Sequence, residues 1–167
     1  MLFVPAYDPP HKLGMVATPY EHRRRMLELA IGEHPGFAIS DIEKETGLKP
    51  SYTFATMTAL QERLPGDELL ILIGGDSLRQ LHTWHLADEL TDKWALIVYP
   101  RRGETPSLDE LRAHWPGEKA EKLLASVMRT NVHEISSTEI RNKMAKNENT
   151  DTFIGREVLR HIKENNL

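Results

Sequence analysis

The residues of this chain that are best suited to chemistry lie in four short segments. The segments are 9–12 (Pro-Pro-His-Lys), 74–76 (Gly-Gly-Asp), 100–103 (Pro-Arg-Arg-Gly) and 136–138 (Ser-Ser-Thr), and each leaves an apparent strand. Cations and hydroxyls donate hydrogen bonds to phosphate oxygens, and a carboxylate beside glycines can accept hydrogen bonds from ribose hydroxyls. These residue types therefore favour a site for a phosphorylated small molecule.

The sequence Ser-Ser-Thr-Glu-Ile-Arg at 136–141 has the pattern of a helix start. Ser136 as N-cap and Glu139 three residues later would form a capping box. The free amides and the positive dipole end of such a helix bind anions, and Arg141, one turn beyond Ser137, could add a forked contact to phosphate. The same pattern is typical of a plain helix cap followed by a solvated arginine, and the residues alone leave both interpretations open.

Two other segments also allow both a binding and a structural interpretation. His11 and Lys12 lie in a proline-stiffened loop and could donate hydrogen bonds to phosphate, but the loop could equally be an exposed polar turn. Gly74 permits close approach of a ligand to the backbone, and Asp76 could bind a ribose. Aspartate at this position could instead cap the following helix.

The segment Thr83-Trp84-His85 offers a planar ring and backbone amides one helix further along the chain. Trp84 could stack on an aromatic ligand, and the amides beside it could hold a carboxylate; a tryptophan in the hydrophobic core is the alternative. His82 and His85 have no third ligand placed to complete a metal site, so no protein-ligated metal is predicted.

Strand patterns alternate with helix patterns along the whole chain, which predicts an α/β doubly wound parallel sheet. The predicted strands are 2–6, 37–42, 68–74, 94–99 and 132–135. Three predicted helices are given by their starts, at Thr18 as N-cap, at Ser77 and at Ser136. Three are given by their spans, 51–64, 86–90 and 108–128, the last with a break at Pro116-Gly117. Val158, Leu159 and Ile162 mark the final helix. The run at 68–74 is apolar throughout, which is typical of a strand that is covered on both faces. In such sheets ligands bind at the carboxyl ends of the strands, which is where the four segments fall.

Composition narrows the class of protein. The chain has 167 residues, 40% of them hydrophobic and 28% charged, which fits a single globular domain over 1–167. It has no cysteine, which excludes disulfides and thiolate metal sites and fits a cytoplasmic location. The net charge of −4 argues against a nucleic-acid partner, and no apolar run approaches the ~20 residues of a membrane span.

Taken together, these motifs resemble those of the bacterial nicotinate-nucleotide adenylyltransferases, a family of the nucleotidylyltransferase superfamily. The motifs that carry the resemblance occur in the family's order and spacing: Phe-Val-Pro-Ala-x-x-Pro-Pro-His-Lys at 3–12, Pro-Ser-Tyr-Thr at 50–53, Ile-Gly-Gly-Asp-Ser-Leu at 73–78, Thr-Trp-His at 83–85 and Ile-Ser-Ser-Thr-Glu-Ile-Arg at 135–141. The serine-rich motif marks the superfamily, and the other motifs point to the nicotinate member. The fold implied is a Rossmann-like, doubly wound parallel sheet of the nucleotidylyltransferase type.

The resemblance also implies a reaction and a set of site residues. The reaction is adenylyl transfer from ATP to nicotinate mononucleotide, which gives nicotinate adenine dinucleotide and pyrophosphate in NAD biosynthesis, with Mg²⁺ bound through the ATP phosphates. The implied ATP-binding residues are Gly74, Asp76, Ser136, Ser137, Thr138 and Arg141. The implied nicotinate mononucleotide-binding residues are His11, Lys12, Thr53, Trp84 and His85. The partners expected are these two small molecules, without nucleic acid or membrane and with homo-oligomers left open.

The sequence departs from the family at its start. The family opens with a strand and a Gly-x-Phe-Asp-Pro-x-His-x-Gly-His loop whose histidines bind and activate the ATP phosphates, and neither is found here. We interpret the start as shortened or misassigned, so the catalytic residues are unknown and the chain as written is expected to be inactive and poorly folded. The alternative functions are a catalytically inactive nucleotide-binding protein and a sister adenylyltransferase acting on phosphopantetheine.

Overall fold

The computed structural model describes residues 1–9, 18–100, 103–130, 137–146 and 148–167. The chain forms two compact units, and the first combines Met1–Tyr52 with Ile135–Leu167 while the second is Thr53–Glu134. No helix in these described ranges is both long and apolar enough to cross a bilayer.

The first unit contains a short parallel strand pair with helices around it. Strand β1 (Leu2–Phe3) pairs in parallel with β2 (Ala38–Ile39), in the register Leu2 with Ala38 and Phe3 with Ile39. Its helices are α1 (Tyr20–Ile31), α2 (Ile42–Thr46), α8 (Ser137–Ala145) and α9 (Arg156–Glu164). Helix α9 packs against α1, with Val158 and Leu159 buried.

The second unit is built around a longer parallel pair. Strand β3 (Leu70–Gly74) pairs with β4 (Ala95–Tyr99) residue for residue, and Val98 adds a parallel bridge to Val127. The helices are α3 (Thr53–Arg63), α4 (Gly75–Gln80), a 3₁₀ turn (Leu81–Thr83), α5 (Ala87–Lys93), α6 (Leu108–Arg112) and α7 (Gly117–Ala125). The core of this unit includes Leu78, Leu81, Leu90 and Val98, which are all 0% exposed.

Local sequence explains where the helices of residues 108–128 begin and end. Ser107 caps α6 in a capping box, because its hydroxyl accepts the Glu110 N–H while the Glu110 carboxylate accepts the Ser107 N–H at 2.7 Å. The predicted break at Pro116-Gly117 is confirmed, since α6 ends before it and α7 begins at Gly117. The predicted α/β class with parallel strands is also confirmed.

Three sequence-based predictions about these elements are wrong. Thr18 is not the N-cap of α1; Pro19 takes that position, and the Thr18 carbonyl accepts the Arg23 Nε–H at 2.9 Å. The strand predicted at 37–42 ends at Ile39, and Ile42 begins α2 with its side chain 1% exposed. Strand β3 is not covered on both faces, because Leu70 and Leu72 are 50% and 47% exposed. The strand predicted at 132–135 lies outside the described residues.

Candidate functional site

The Gly-Gly-Asp turn links β3 to α4 in the second unit. Gly74 ends the strand in an extended conformation, with φ −83° and ψ 164°, and Asp76 is exposed in the first turn of α4. A carboxylate in that position interacts favourably with the positive end of the helix dipole. The position of Asp76 is therefore compatible with both interpretations, a ribose acceptor and an acid that stabilises the helix.

Gly75 has a structural role that the sequence did not reveal. A Cβ at this buried position would lie 2.6 Å from Thr105 Oγ1 and 3.0 Å from Thr105 Cα. The glycine is therefore required for close packing against the segment that precedes α6. No local signal could have identified this contact, because Gly75 and Thr105 are far apart in sequence.

Trp84 follows the 3₁₀ turn and differs from the other two tryptophans. Trp94 and Trp115 are 4% and 5% exposed, whereas Trp84 is only half-buried. Its N–H donates to the Leu81 carbonyl at 3.0 Å, so this amide is engaged inside the turn. His85 beside it is exposed. The partly exposed indole favours the binding interpretation of Trp84 over the core one.

Thr53 is the first residue of α3, and its side chain is half-buried. The helix has 11 residues and carries no acidic residue in its first turn. Its N-terminus therefore offers a positive dipole end that no carboxylate of the first turn offsets, which suits a ligand carboxylate.

Ser51, in the same motif as Thr53, has a structural role in the first unit. Its hydroxyl accepts the Asp8 N–H at 3.0 Å, and its own N–H donates to the Asp8 carbonyl at 2.9 Å. Ser51 is 7% exposed. The serine of the Pro-Ser-Tyr-Thr motif thus ties this segment to the segment after β1.

The first turn of α8 carries the predicted phosphate-binding residues of the first unit. Ser137, Thr138 and Arg141 are exposed, and Arg141 Nη2 donates to Thr138 Oγ1 at 3.2 Å. Glu139 lies 3.6 Å from Lys143 on the same helix. The guanidinium is thus held over the helix N-terminus, one turn beyond the hydroxyls. Ser136, His11 and Lys12 lie outside the described residues.

A half-buried polar network fixes the N-terminus of α1, and sequence reasoning missed it. Asp41 accepts the Tyr20 hydroxyl at 2.5 Å, and both of its carboxylate oxygens accept the Arg24 Nε–H at 2.8 Å. Burial raises the pKa of Asp41, but the hydrogen bonds from Tyr20 and Arg24 outweigh it and leave the pKa below its ordinary value. Burial, followed by the hydrogen bond to Asp41, raises the pKa of the Tyr20 phenol.

The predicted site residues are divided between the two units. Thr53, Gly74, Asp76, Trp84 and His85 belong to the second unit, and the described α8 residues belong to the first. The described residues bring together no group of three or more His, Cys, Asp or Glu side chains that could hold a metal ion.

Comparison with known proteins gives consistent results. Residues 1–143 match the cytidylyltransferase-like family model. The nicotinate-nucleotide adenylyltransferase of Bacillus subtilis (strain 168) is 36% identical over 168 residues, which cover 99% of this chain and 80% of that protein. A probable nicotinate-nucleotide adenylyltransferase of Dehalococcoides mccartyi (strain CBDB1) is 34% identical over 170 residues, covering 100% of this chain and 81% of that protein.

Solved structures share the fold at low identity. The nicotinic acid mononucleotide adenylyltransferase of Plasmodium falciparum, complexed with APC, superposes with a TM-score of 0.72 at 17% identity, covering 99% of this chain and 80% of that one. The same protein complexed with NaAD gives a TM-score of 0.73, also at 17% identity.

Proposed function

The chain belongs to the nicotinate-nucleotide adenylyltransferase family, with a Rossmann-like nucleotidylyltransferase fold, and we propose that it transfers the adenylyl group of ATP to nicotinate mononucleotide. The products are nicotinate adenine dinucleotide and pyrophosphate, so the reaction serves NAD biosynthesis. We expect it to take place in the cytoplasm, as the absence of cysteine in the sequence suggests.

The reaction requires no protein nucleophile. A phosphate oxygen of the mononucleotide attacks the α-phosphorus of ATP, and the bond from that phosphorus to the bridging oxygen of the β-phosphate breaks. Pyrophosphate leaves with the electron pair of the broken bond. Catalysis therefore consists of alignment of the two substrates and neutralisation of charge on the phosphates.

The half-buried Trp84 is the observation that carries the proposal for the acceptor. It is half-buried where the other two tryptophans are buried, and it stands in the motif that resembles the family's pyridine-binding segment. We propose that its indole stacks on the nicotinate ring. The carboxylate of the ring would be bound by Thr53 at the N-terminus of α3 and by the amide of His85.

The ATP contacts are proposed from the motifs that resemble those of the family. Arg141 and the hydroxyls of Ser137 and Thr138 suit phosphate oxygens, because a guanidinium forks to two oxygens and a helix N-terminus stabilises negative charge. Gly74 and Asp76 would contact a ribose. Ser136, His11 and Lys12 remain predictions for phosphate contacts.

Mg²⁺ would enter with ATP and supply charge neutralisation on the triphosphate. Phosphate oxygens and water suit the octahedral demand of this ion. We therefore propose that no cage of side chains is needed to bind it.

The test of the acceptor site is steady-state kinetics of Trp84→Ala and Trp84→Phe, made in the full chain as its gene encodes it. Stacking of a base on an aromatic side chain contributes about 1–3 kcal/mol, so KM for nicotinate mononucleotide should rise roughly 5- to 150-fold in the alanine variant, while KM for ATP stays nearly constant. The phenylalanine variant keeps a ring and should lose less. Equal rises of both KM values with an intact fold by circular dichroism would assign Trp84 to the core instead.

A further inference from the structure

A pair of stacked histidines joins the turn before Trp84 to the end of α6. The imidazoles of His82 and His114 are parallel, with 1° between their planes, and their centroids are 3.6 Å apart. His82 lies in the 3₁₀ turn, and His114 lies 32 residues later, between α6 and α7. The contact therefore joins two segments that are distant in sequence.

His114 is presented from a rigid platform. Its N–H donates to the Leu111 carbonyl at 3.0 Å, and the N–H of Trp115 donates to the same carbonyl at 3.0 Å. Leu111 and Trp115 are 2% and 5% exposed, so the backbone of His114 is fixed between two buried side chains. The capping box at Ser107 fixes the N-terminus of α6, the helix that precedes His114.

The turn that carries Trp84 is stabilised by local hydrogen bonds. Thr83 Oγ1 donates to the Gln80 carbonyl at 2.7 Å, and the Trp84 N–H donates to the Leu81 carbonyl at 3.0 Å. Hydrogen bonds between residues three positions apart set the shape of the turn but not its position relative to α6. The stack of His82 on His114 adds a side-chain contact between this turn and the segment after α6.

The stacked rings of His82 and His114 lie beside a cavity. A cavity of about 180 Å³ is lined by Arg79, His82, Glu110, His114 and Trp115, among others. Arg79 and Glu110 on its wall form a long ion pair, at 3.6 Å, and both side chains are about half exposed. Leu81 of the same turn is buried, but without the ring of His114 the His82 side of the turn would border this cavity and lose its close packing there.

We propose that His114 is a positioning residue for the pyridine-binding turn: its imidazole stacks on His82 and so holds the backbone that presents Trp84. His114 does not touch the substrate in this account. The inference rests on the proposed function, since it assigns Trp84 to the nicotinate ring.

The test compares His114→Ala, which removes the ring, with His114→Phe, which keeps one. An aromatic pair of this kind corresponds to roughly a 2- to 12-fold change in affinity, so the alanine variant should show that rise in KM for nicotinate mononucleotide. KM for ATP and kcat should stay within about twofold of the wild type, because the ring acts on one substrate only. The phenylalanine variant should recover most of the loss. Arg112→Ala is the matched control, since Arg112 is exposed at the end of α6, two residues before His114, and pairs with Glu121.

Trp84→Ala, measured in parallel, separates the two levels of the argument. A rise in KM for nicotinate mononucleotide in Trp84→Ala, without one in His114→Ala, overturns the positioning role and leaves the proposed acceptor site standing. No change in Trp84→Ala overturns both. An equal rise of both KM values in His114→Ala, or no recovery in His114→Phe, would make the stack a general packing contact and also overturn the inference.

Discussion

Substitution of Gly75 by alanine tests the close contact between the Gly-Gly-Asp turn and Thr105. The added Cβ would lie 2.6 Å from Oγ1, 3.0 Å from Cα and 3.1 Å from N of Thr105. Comfortable contacts between such atoms are about 3.5–4.0 Å, so the backbone must separate by several tenths of an ångström. Overpacking of this kind costs about 1–3 kcal/mol.

A smaller effect of opposite sign reduces the expected loss. Alanine is a better helix former than glycine by up to about 1 kcal/mol, and Gly75 is the first residue of α4. We therefore expect a net loss of about 1–2 kcal/mol in the free energy of unfolding. For a chain of this size that corresponds to a drop in Tm of roughly 2–8 °C.

The assay is thermal unfolding followed by circular dichroism, with Gly117→Ala as the matched control. Gly117 also begins a helix, but a Cβ there would meet nothing within 4 Å. The control should be as stable as the wild type or slightly more stable. The double variant Gly75→Ala/Thr105→Ala should recover part of the loss, because it removes the Oγ1 contact and leaves those to Cα and N. Equal Tm values for the two glycine variants would refute the reasoning.

Three further predictions concern charge. Asp41→Asn should lower Tm at neutral pH. Because the pKa of Asp41 is lower in the folded state, its carboxylate stabilises the fold fully above about pH 5, and this stabilisation disappears as the pH falls below about 4. A Tm difference that persists unchanged at pH 2 would contradict this. Thr53→Asp should raise KM for nicotinate mononucleotide by about 10-fold without lowering Tm, because an acid stabilises the start of α3 but repels a ligand carboxylate; a lowered Tm would indicate disruption instead. Arg141→Ala should reduce kcat/KM for ATP by about 10-fold or more and Arg141→Lys by less, since lysine keeps the charge but not the fork; wild-type kinetics in the alanine variant would reduce the serine motif to a helix cap.

Periodic elements could be predicted from the sequence, and elements decided by tertiary contacts could not. The strand at 94–99 and the helix at 51–64 were predicted to within one or two residues, because long apolar patterns carry their own signal. The five-residue helix α2 was missed, because apolar Ile42 continues the pattern of the strand before it. Apolar composition also overstated burial at Leu70 and Leu72, since it indicates which side chains can be buried and not what covers them.

The candidate site shows the same division. Motifs identified the segments of Gly74, Asp76 and Trp84, and the partial exposure of Trp84 agrees with the binding interpretation. The contacts that hold those segments were not predicted, because they join residues about 30 positions apart. Thr105 against Gly75 and His114 against His82 have no spacing rule in the sequence.

The most direct test of the central claim is the product formed from ATP, Mg²⁺ and competing acceptors. The full chain as its gene encodes it would be incubated with nicotinate mononucleotide, nicotinamide mononucleotide or phosphopantetheine, and products would be separated by chromatography while pyrophosphate release is followed. The account predicts nicotinate adenine dinucleotide in stoichiometric balance with pyrophosphate, and no adenylylated phosphopantetheine. Transfer to phosphopantetheine, or binding of ATP without transfer to any acceptor, would contradict it.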